Sequence, residues 1–317
     1  MRDRHITNIA RALPRMSWTP KNLFNLYQRA VDDRSPKARD INFRKDSRTL
    51  FQQRWISKAV VRAYHGDHIN ERLFKRWYLP GTLPDVRPRK KVFGDDEGTL
   101  LEFAKRRQKE RNEDEAPALA PVGSLMFAEV ERRLDVLIFR SCFAHSVYDA
   151  RRLVVHGKVL LNGKRHYNAN TRLAPGDMFA VKPDAIRFLR PQTTEDESDN
   201  VIDHPDAPKG ATPLTPFNLP FYASPWLFVP AYLEVNYGTC AAVYVRHPTA
   251  RPNYSEIPTP YDADGEVLRH AWEWYMRHRP RVRTESQWAK APDDRLRRQM
   301  EELRLGRHSL RFATSTA

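Results

Sequence analysis

The chain has few of the residues that build disulfide frameworks and metal centres. Its 317 residues include only two cysteines, Cys142 and Cys240, and both lie in apolar stretches. We therefore expect buried free thiols in a reducing compartment. The histidines lack the spacing of metal ligands, since even the close pair His65 and His68 is interrupted by Gly66, where we expect a helix to break. No disulfide, zinc site or cofactor is predicted.

Long apolar runs and an excess of acidic residues are also missing. No stretch of 18 apolar residues occurs, so we expect no membrane span. The 54 Lys+Arg outnumber the 39 Asp+Glu, which gives a formal charge of +15 and a pI near 9.9. Arginine carries most of this charge, and its planar guanidinium suits phosphate groups and guanine edges. The expected partner is a polyanion. A mean hydropathy of −0.71 and 24 prolines predict much irregular chain rather than a compact enzyme.

The positive charge is concentrated in two parts of the chain. Residues 1–92 hold 22 Lys+Arg against 8 Asp+Glu, and residues 130–190 hold 12 against 5. Residues 93–129 hold 5 Lys+Arg against 9 Asp+Glu, and residues 191–317 hold 15 Lys+Arg against 17 Asp+Glu. Two basic regions separated by an acidic spacer are predicted, and both are candidate surfaces for nucleic acid.

Residues 129–190 begin with the pattern of two short helices. Apolar residues at helical spacing predict the first helix over 129–139. Ser146, followed three residues later by an acid, predicts the start of a second helix of about three turns, and Gly157 marks its end. This second helix is expected to bury Leu153 and to present basic residues on its other side.

A small sheet is predicted to follow these helices. Asn162-Gly163 is a strong signal for a tight hairpin. Pro175-Gly176-Asp177 predicts a turn into a last strand over 178–181. Two helices on a short twisted sheet, with basic residues at the helix ends and at the hairpin tip, are typical of a compact RNA-binding module.

This order of elements resembles the RNA-binding domain named after the fourth protein of the small ribosomal subunit, the S-four domain. The matching residues, in the family's order and spacing, are Arg133-Leu134-Asp135, Ser146, Ala150-Arg151, Leu153-Val154, Gly157, Val159, Leu161-Asn162-Gly163 and Pro175-Gly176-Asp177. The domain also occurs in pseudouridine synthases, tyrosyl-tRNA synthetases and small RNA-binding stress proteins. The resemblance therefore implies RNA binding without identifying the host protein.

The N-terminal region is predicted to contain a helix over 18–31 and two basic helices over 50–64 and 68–78, the last capped by Asp67. The basic side chains lie on stripes that leave an apolar arc for packing. A single stripe is also typical of a solvated helix face, but two in succession favour contact with phosphates. The residues on these stripes are Arg54, Lys58, Arg62, Arg72, Lys75 and Arg76.

Two further segments resemble the S-four ribosomal protein family, whose N-terminal block is absent from the enzymes that share the module. The N-terminal matches are Arg62, Tyr64, Gly66, Glu71, Arg72 and Phe74. In the C-terminal segment, Val229-Pro230 and Leu233-Glu234-Val235 match the start of a strand pair, and a last helix is predicted over 265–276. The aromatic expected after Pro230 falls one place on, at Tyr232. Long insertions and tails are typical of the mitochondrial members of this family, particularly the fungal ones, and the chain resembles that form.

The predicted fold class is α+β: a helical N-terminal domain, a small RNA-binding module of two helices and a short twisted sheet, a C-terminal β-hairpin and helix, and irregular extensions. The first 31 residues carry six Lys+Arg and one acid, which fits a mitochondrial address signal and an RNA-binding arm equally well. The predicted boundaries are 1–92 for the basic helical region, 93–128 for a charged linker, 129–190 for the module, 191–225 for an irregular insertion, 226–276 for the strand pair and helix, and 277–317 for a charged helical tail.

An enzyme is the main alternative to a structural protein. Arg133-Leu134-Asp135 is similar to the short sequence around the catalytic aspartate of pseudouridine synthases. However, Val136-Leu137-Ile138 stands where a turn would expose the carboxylate, so we expect Asp135 to pair locally inside a helix, at a cost of at most about 1 kcal/mol if the charge is lost. The nucleotide-binding motifs of a tyrosyl-tRNA synthetase are absent. An assembly factor that carries the module is a further alternative.

The preferred interpretation is a structural, non-enzymatic protein of the mitochondrial small ribosomal subunit. The resemblance implies that it binds small-subunit rRNA where several RNA helices meet, nucleates assembly, and lies near incoming mRNA and near neighbouring ribosomal proteins that influence decoding. Basic side chains would neutralise phosphates, and the hairpin tip would read RNA shape and 2′-hydroxyl groups. The candidate RNA-binding residues are Arg54, Lys58, Arg62, Arg72, Lys75, Arg76, Arg133, Arg140, Ser146, Arg151, Arg152, His156, Lys158, Asn162, Lys164 and Arg165.

Overall fold

The computed structural model of the protein describes residues 13–30, 43, 47–80, 122–187, 229–251, 254–262 and 265–301. The basic leader up to residue 12, most of the linker predicted over 93–128, the insertion predicted over 191–225 and the last 16 residues lie outside this part of the chain. Within it, no helix is both long and apolar enough to cross a lipid bilayer.

Helices dominate the N-terminal region, as predicted. Their bounds are Pro20–Ala30 for α1, Leu50–Gly66 for α2 and Glu71–Leu73 for α3, which continues as a π-helical turn over Phe74–Tyr78. Helix α2 begins with a capping box, in which Thr49 and Gln52 each accept a backbone hydrogen bond from the other. The prediction that Asp67 caps the next helix is wrong, because the backbone of Asp67 is still helical. Asn70 caps α3 instead, with its side chain accepting from the amide of Arg72 at 3.0 Å.

The first helix predicted in the module is divided in two. Helices α4 (Ala128–Glu131) and α5 (Leu134–Arg140) are separated at Arg133, whose backbone is extended with a ψ of 139°. At this break the amide of Leu134 donates to the carbonyl of Thr171 at 3.0 Å. The amide of Leu134 therefore bonds to a distant segment instead of to the preceding turn of the helix. The local periodicity of apolar residues does not reveal this break. A short 3₁₀ turn over Val122–Phe127 leads into α4.

The second module helix has the predicted bounds. Helix α6 spans Val147–Val155, and the Ser146 hydroxyl caps it by accepting from the amide of Asp149 at 3.1 Å. Gly157 follows with a φ of +66°, a left-handed conformation that favours glycine after a helix.

The sheet of the module is larger than predicted. Its strands are β1 (Val159–Leu161), β2 (Lys164–Arg165), β3 (Met178–Val181), β4 (Leu233–Asn236) and β5 (Ala241–Tyr244). Asn162 and Gly163 both have positive φ, as a tight hairpin between β1 and β2 requires. The strand order β2-β1-β3-β5-β4 is antiparallel throughout. The C-terminal strand pair was expected, and the structure shows that it completes the sheet of the module.

Two hydrophobic cores lie in the described part of the chain. One lies between the module helices and the five-stranded sheet. The other joins the N-terminal helices to α7 (Glu266–His278), with Val61, Phe74 and Tyr275 fully buried in it. The C-terminal segment therefore packs on both the module and the N-terminal block. A short strand pair precedes α7, with β6 at Ala250–Arg251 and β7 at Tyr254–Ser255, and α8 (Glu285–Trp288) follows it.

Both cysteines are free thiols. Cys240 is buried as expected, whereas Cys142 is half-buried. Burial raises the pKa of both thiols above the usual range, so neither is an activated nucleophile. The described residues contain no group of three or more side chains that could hold a metal ion.

The packing of α6 makes a direct prediction about stability. Leu153 is 5% exposed inside the module core, whereas Val155 on the same helix is 60% exposed. Leu153→Ala should lower the free energy of unfolding by about 2 to 5 kcal/mol because it leaves a cavity. Val155→Ala should change it by less than about 0.5 kcal/mol. Urea denaturation of both variants measures the difference, and equal effects would contradict the burial of this face.

Candidate nucleic-acid interface

Five of the predicted RNA-binding side chains form one exposed surface of the module. They are Arg152, His156, Lys158, Lys164 and Arg165, called here the basic face. Arg152 has an ion pair, a 2.6 Å contact with Asp149, and its side chain remains 65% exposed. Within the described residues the other four have no ion pair.

Local structure brings the residues of the basic face together. Arg152 and His156 are one helical turn apart at the end of α6. The chain then reverses at Gly157, and the amide of Lys158 donates to the carbonyl of Leu153 at 3.0 Å. Strand β2 carries Lys164 and Arg165 and pairs with β1 immediately after this reversal. A helix end and the hairpin that follows it therefore both carry exposed basic groups.

Two side chains that were predicted to contact RNA, Ser146 and Asn162, make hydrogen bonds within the protein. The hydroxyl of Ser146 caps α6, as described above. The side-chain amide of Asn162 donates to Asp177 at 2.8 Å, and its oxygen accepts from the amide of Met178 at 2.9 Å. These bonds hold the hairpin against the turn that leads into β3. Asn162 itself is exposed, so the predicted position of the hairpin tip on the surface holds.

Three predicted RNA contacts are wrong, because their guanidinium groups lie inside the protein. Arg62, Arg133 and Arg140 are 8%, 1% and 4% exposed. Arg62 pairs with Glu71 at 3.1 Å and donates to the carbonyl of Ile69. Arginine is the most common basic residue here, and the sequence pattern does not distinguish those that pair with buried acids from those that face solvent.

Asp135 is the centre of a buried ion cluster. Its carboxylate is 2.7 Å from Arg133 and 2.6 Å from Arg151, and 3.6 Å from the imidazole of His68. Burial alone would raise the pKa of Asp135, but the charges of Arg133 and Arg151 lower it to about 2. Burial lowers the pKa of His68 to about 3, so this imidazole is neutral at pH 7. The carboxylate is 0% exposed.

Arg151 is therefore shared between the interior and the surface. Its side chain is 28% exposed, and besides Asp135 it donates to Asn170 at 2.9 Å. The sequence predicts Arg151 on the solvent side of α6, but its guanidinium also pairs with the buried carboxylate of Asp135. We therefore expect replacement of Arg151 to destabilise the module. Arg152, its neighbour, has no such role.

The basic stripes of the N-terminal helices are largely paired with acids. Arg54 contacts Glu273 at 2.7 Å, and Lys58 and Lys75 contact Glu71 at 3.5 and 3.8 Å. The other two predicted residues differ from these. Arg72 is exposed and has no ion pair among the described residues, whereas Arg76 is half-buried and its Nε has no hydrogen-bond partner there.

A contact between the module and the C-terminal tail escapes sequence reasoning. Asp294 pairs with Arg132 at 2.8 Å and with Arg172 at 3.2 Å. The amide of Arg172 also donates to the carbonyl of Asp293 at 3.0 Å. Two arginines of the basic module, Arg132 and Arg172, thus pair with an aspartate that lies 162 and 122 residues further along the chain, and no local signal connects them.

Part of this chain matches a known domain family, and most of it is similar to a known protein. The S4 domain family matches residues 132–179, the stretch that contains the basic face and the buried Asp135. A small ribosomal subunit protein uS4m of Schizosaccharomyces pombe is 28% identical over 307 residues, which cover 88% of this chain and 82% of that protein.

Shorter matches follow in other organisms. A small ribosomal subunit protein uS4m of Reclinomonas americana is 31% identical over 150 residues, which cover 47% of this chain and 50% of that protein. A small ribosomal subunit protein uS4 of the bacterium Rubrobacter xylanophilus is 42% identical over 69 residues, which cover 22% of this chain and 34% of that protein.

The Asp135 cluster predicts a pH-dependent loss of stability. Asp135→Asn removes the charge that compensates buried Arg133, and it should cost about 3 to 5 kcal/mol at pH 7, more than the 1 kcal/mol expected from sequence. Because the pKa of Asp135 falls from 3.8 to about 2 on folding, its stabilisation is complete above pH 4 and is lost as the pH falls toward 2. The difference between the two proteins in urea denaturation should shrink over that range.

The matched control is Asp149→Asn, on the same module. Asp149 pairs with the exposed Arg152, so its loss should cost no more than about 1 kcal/mol. Equal costs for the two substitutions at pH 7 would contradict the assignment of Asp135 as a structural ion.

Proposed function

Since the chain belongs to the uS4 family of small ribosomal subunit proteins, in its mitochondrial form, we propose that it is a structural component of the mitochondrial small ribosomal subunit and binds small-subunit rRNA through the basic face. The observation that carries this function is the set of exposed, largely unpaired basic groups on the module that the S4 domain family matches. Proteins of this kind act in the mitochondrial matrix.

The physical role of the basic face is to neutralise phosphates while rigid elements fix its shape. The cations stand at a helix end and on a two-residue strand, so little backbone order must be gained on binding. Contacts to phosphate and 2′-hydroxyl groups position a protein on folded RNA without reading a duplex sequence. Arg72, on the N-terminal block, offers a second contact. A protein that touches RNA from two blocks would hold neighbouring RNA helices together and so promote assembly.

The finer parts of this function are also proposals. We infer a non-enzymatic role, supported by the inaccessibility of Asp135, the one residue in the chain whose sequence context is similar to a catalytic aspartate. Neighbouring ribosomal proteins and incoming mRNA are further proposed partners, and they rest on the family alone. Cosedimentation of the endogenous protein with mitochondrial small subunits tests the proposal most directly. Recovery only in free fractions, or only with assembly intermediates, would contradict a structural role.

Binding to small-subunit rRNA should depend steeply on salt, because each neutralised phosphate releases counterions. With about six contacts, affinity should fall on the order of 10³-fold between 50 and 200 mM salt. Filter binding of the full chain to transcribed small-subunit rRNA measures the slope. A flat response would contradict binding through phosphates.

Replacing Lys158, Lys164 and Arg165 together by Ala should reduce the slope of log affinity against log salt by about 2 to 3, since three phosphate contacts are lost. All three are exposed and make no ion pair with the described residues, so the fold should be unaffected. The control removes the same charge elsewhere, by replacing exposed Arg277, Arg281 and Lys290 with Ala. An equal reduction in both variants would show that net charge, and not the basic face, governs binding.

A further inference from the structure

One large aromatic side chain stands beside the basic face. Tyr167 follows β2 and is 60% exposed. Single exposed apolar groups are common on protein surfaces and need no explanation by themselves. Tyr167 differs from such groups in how its ring is held and in what surrounds it.

The ring of Tyr167 is seated on the backbone of Gly157. A Cβ built on Gly157 would lie 2.8 Å from ring atom Cε1 and 3.4 Å from Cζ and the hydroxyl oxygen. Gly157 also has a φ of +66°, so the residue that ends α6 leaves room for this ring as well as for the turn. The close contact restricts the ring, and a restricted ring loses little conformational entropy when a ligand packs on it.

The strand pairing brings Lys158 and Arg165 alongside this ring. The amide of His166 donates to the carbonyl of Val159 at 3.1 Å, which extends the β1–β2 pairing by one residue. Continuing that register places Tyr167 next to Lys158, consistent with its contact at Gly157. An aromatic ring is thus flanked by two basic side chains that have no ion pair within the described chain.

The carboxylates of the surrounding segments are already partnered. Asp149 pairs with Arg152 at 2.6 Å, and Asp293 accepts from Thr171 at 3.2 Å and pairs with Arg298 at 2.8 Å. Asp177 accepts from Asn162 at 2.8 Å. The neighbourhood of Tyr167 therefore keeps a net positive character and favours an anionic ligand that also has an aromatic plane.

We propose that Tyr167 is a stacking platform for an unpaired nucleobase of the rRNA, with Lys158 and Arg165 contacting the phosphates of that nucleotide. Aromatic side chains stack on any unpaired base, whereas bases inside a duplex are stacked on each other and inaccessible. The platform deepens the function proposed above and rests on it. It adds a contact that discriminates single-stranded from double-stranded RNA, which phosphate contacts alone do not provide.

The test compares two RNA probes of equal length, a single-stranded 12-nucleotide oligoadenylate and a 12-base-pair RNA duplex. In the full chain, Tyr167→Leu should weaken binding of the single strand on the order of ten-fold and leave duplex binding unchanged. Tyr167→Phe and Tyr167→Trp should bind the single strand like the wild type, because each retains a ring. The salt slope should not change in any variant, since no charge is removed. Tyr167→Gln is a second substitution without a ring, so a folding defect in the Leu variant would not decide the result.

The matched control is Tyr254→Leu, at a tyrosine that is 54% exposed on β7 and should not affect binding. Unchanged single-strand affinity in both Tyr167→Leu and Tyr167→Gln, or an equal loss on strand and duplex, would overturn the platform. Either result would leave the ribosomal function standing if the wild type still binds small-subunit rRNA with a steep salt dependence. A wild type that binds neither the rRNA transcript nor the oligonucleotide would overturn both.

Discussion

The buried ion pair between Arg140 and Glu131 joins all three segments of this fold. Arg140 donates two hydrogen bonds of 3.0 Å to the carboxylate, and both residues are almost fully buried. Tyr64 of α2 accepts from Arg140 at 3.2 Å, and Tyr232, just before β4, donates to Glu131 at 2.9 Å. Burial alone would raise the pKa of Glu131, but the Arg140 guanidinium lowers it to about 2. The N-terminal helices and the C-terminal strands therefore complete the hydrogen bonds of a charged pair that lies inside the module.

This constraint changes how the positive charge of the chain should be interpreted. A formal charge of +15 predicts a polyanionic partner, but several arginines in the basic regions neutralise acids inside the protein. Arg133 and Arg140 connect the module to the N-terminal helices through Tyr78 and Tyr64. Arg62 pairs with Glu71 inside the N-terminal block, and the tail residue Asp294 pairs with Arg132 and Arg172. The exposed positive charge is correspondingly smaller than the sequence suggests. The basic face is one region where it stays exposed, because the helix end and the hairpin keep these side chains in solvent.

The C-terminal segment is part of the module and not an appendage. Strands β4 and β5 extend its sheet, with Ala180 paired to Ala241, and α7 closes the core of the N-terminal block. Residues 285–301 then cross back to the module through Asp293 and Asp294.

The elements whose signals are local could be predicted from the sequence alone. The cap at Ser146, the end of α6 at Gly157, the Asn162-Gly163 hairpin and the last strand over 178–181 lie where they were predicted, because each depends on a few adjacent residues. The exposure of the side chains on the basic face follows from the same local patterns. The break before Leu134, the burial of Arg133 and Arg140, and the joining of β5 to β3 emerge only from the tertiary structure. Each of these depends on a partner far away in the chain, and neither periodicity nor composition identifies such a partner.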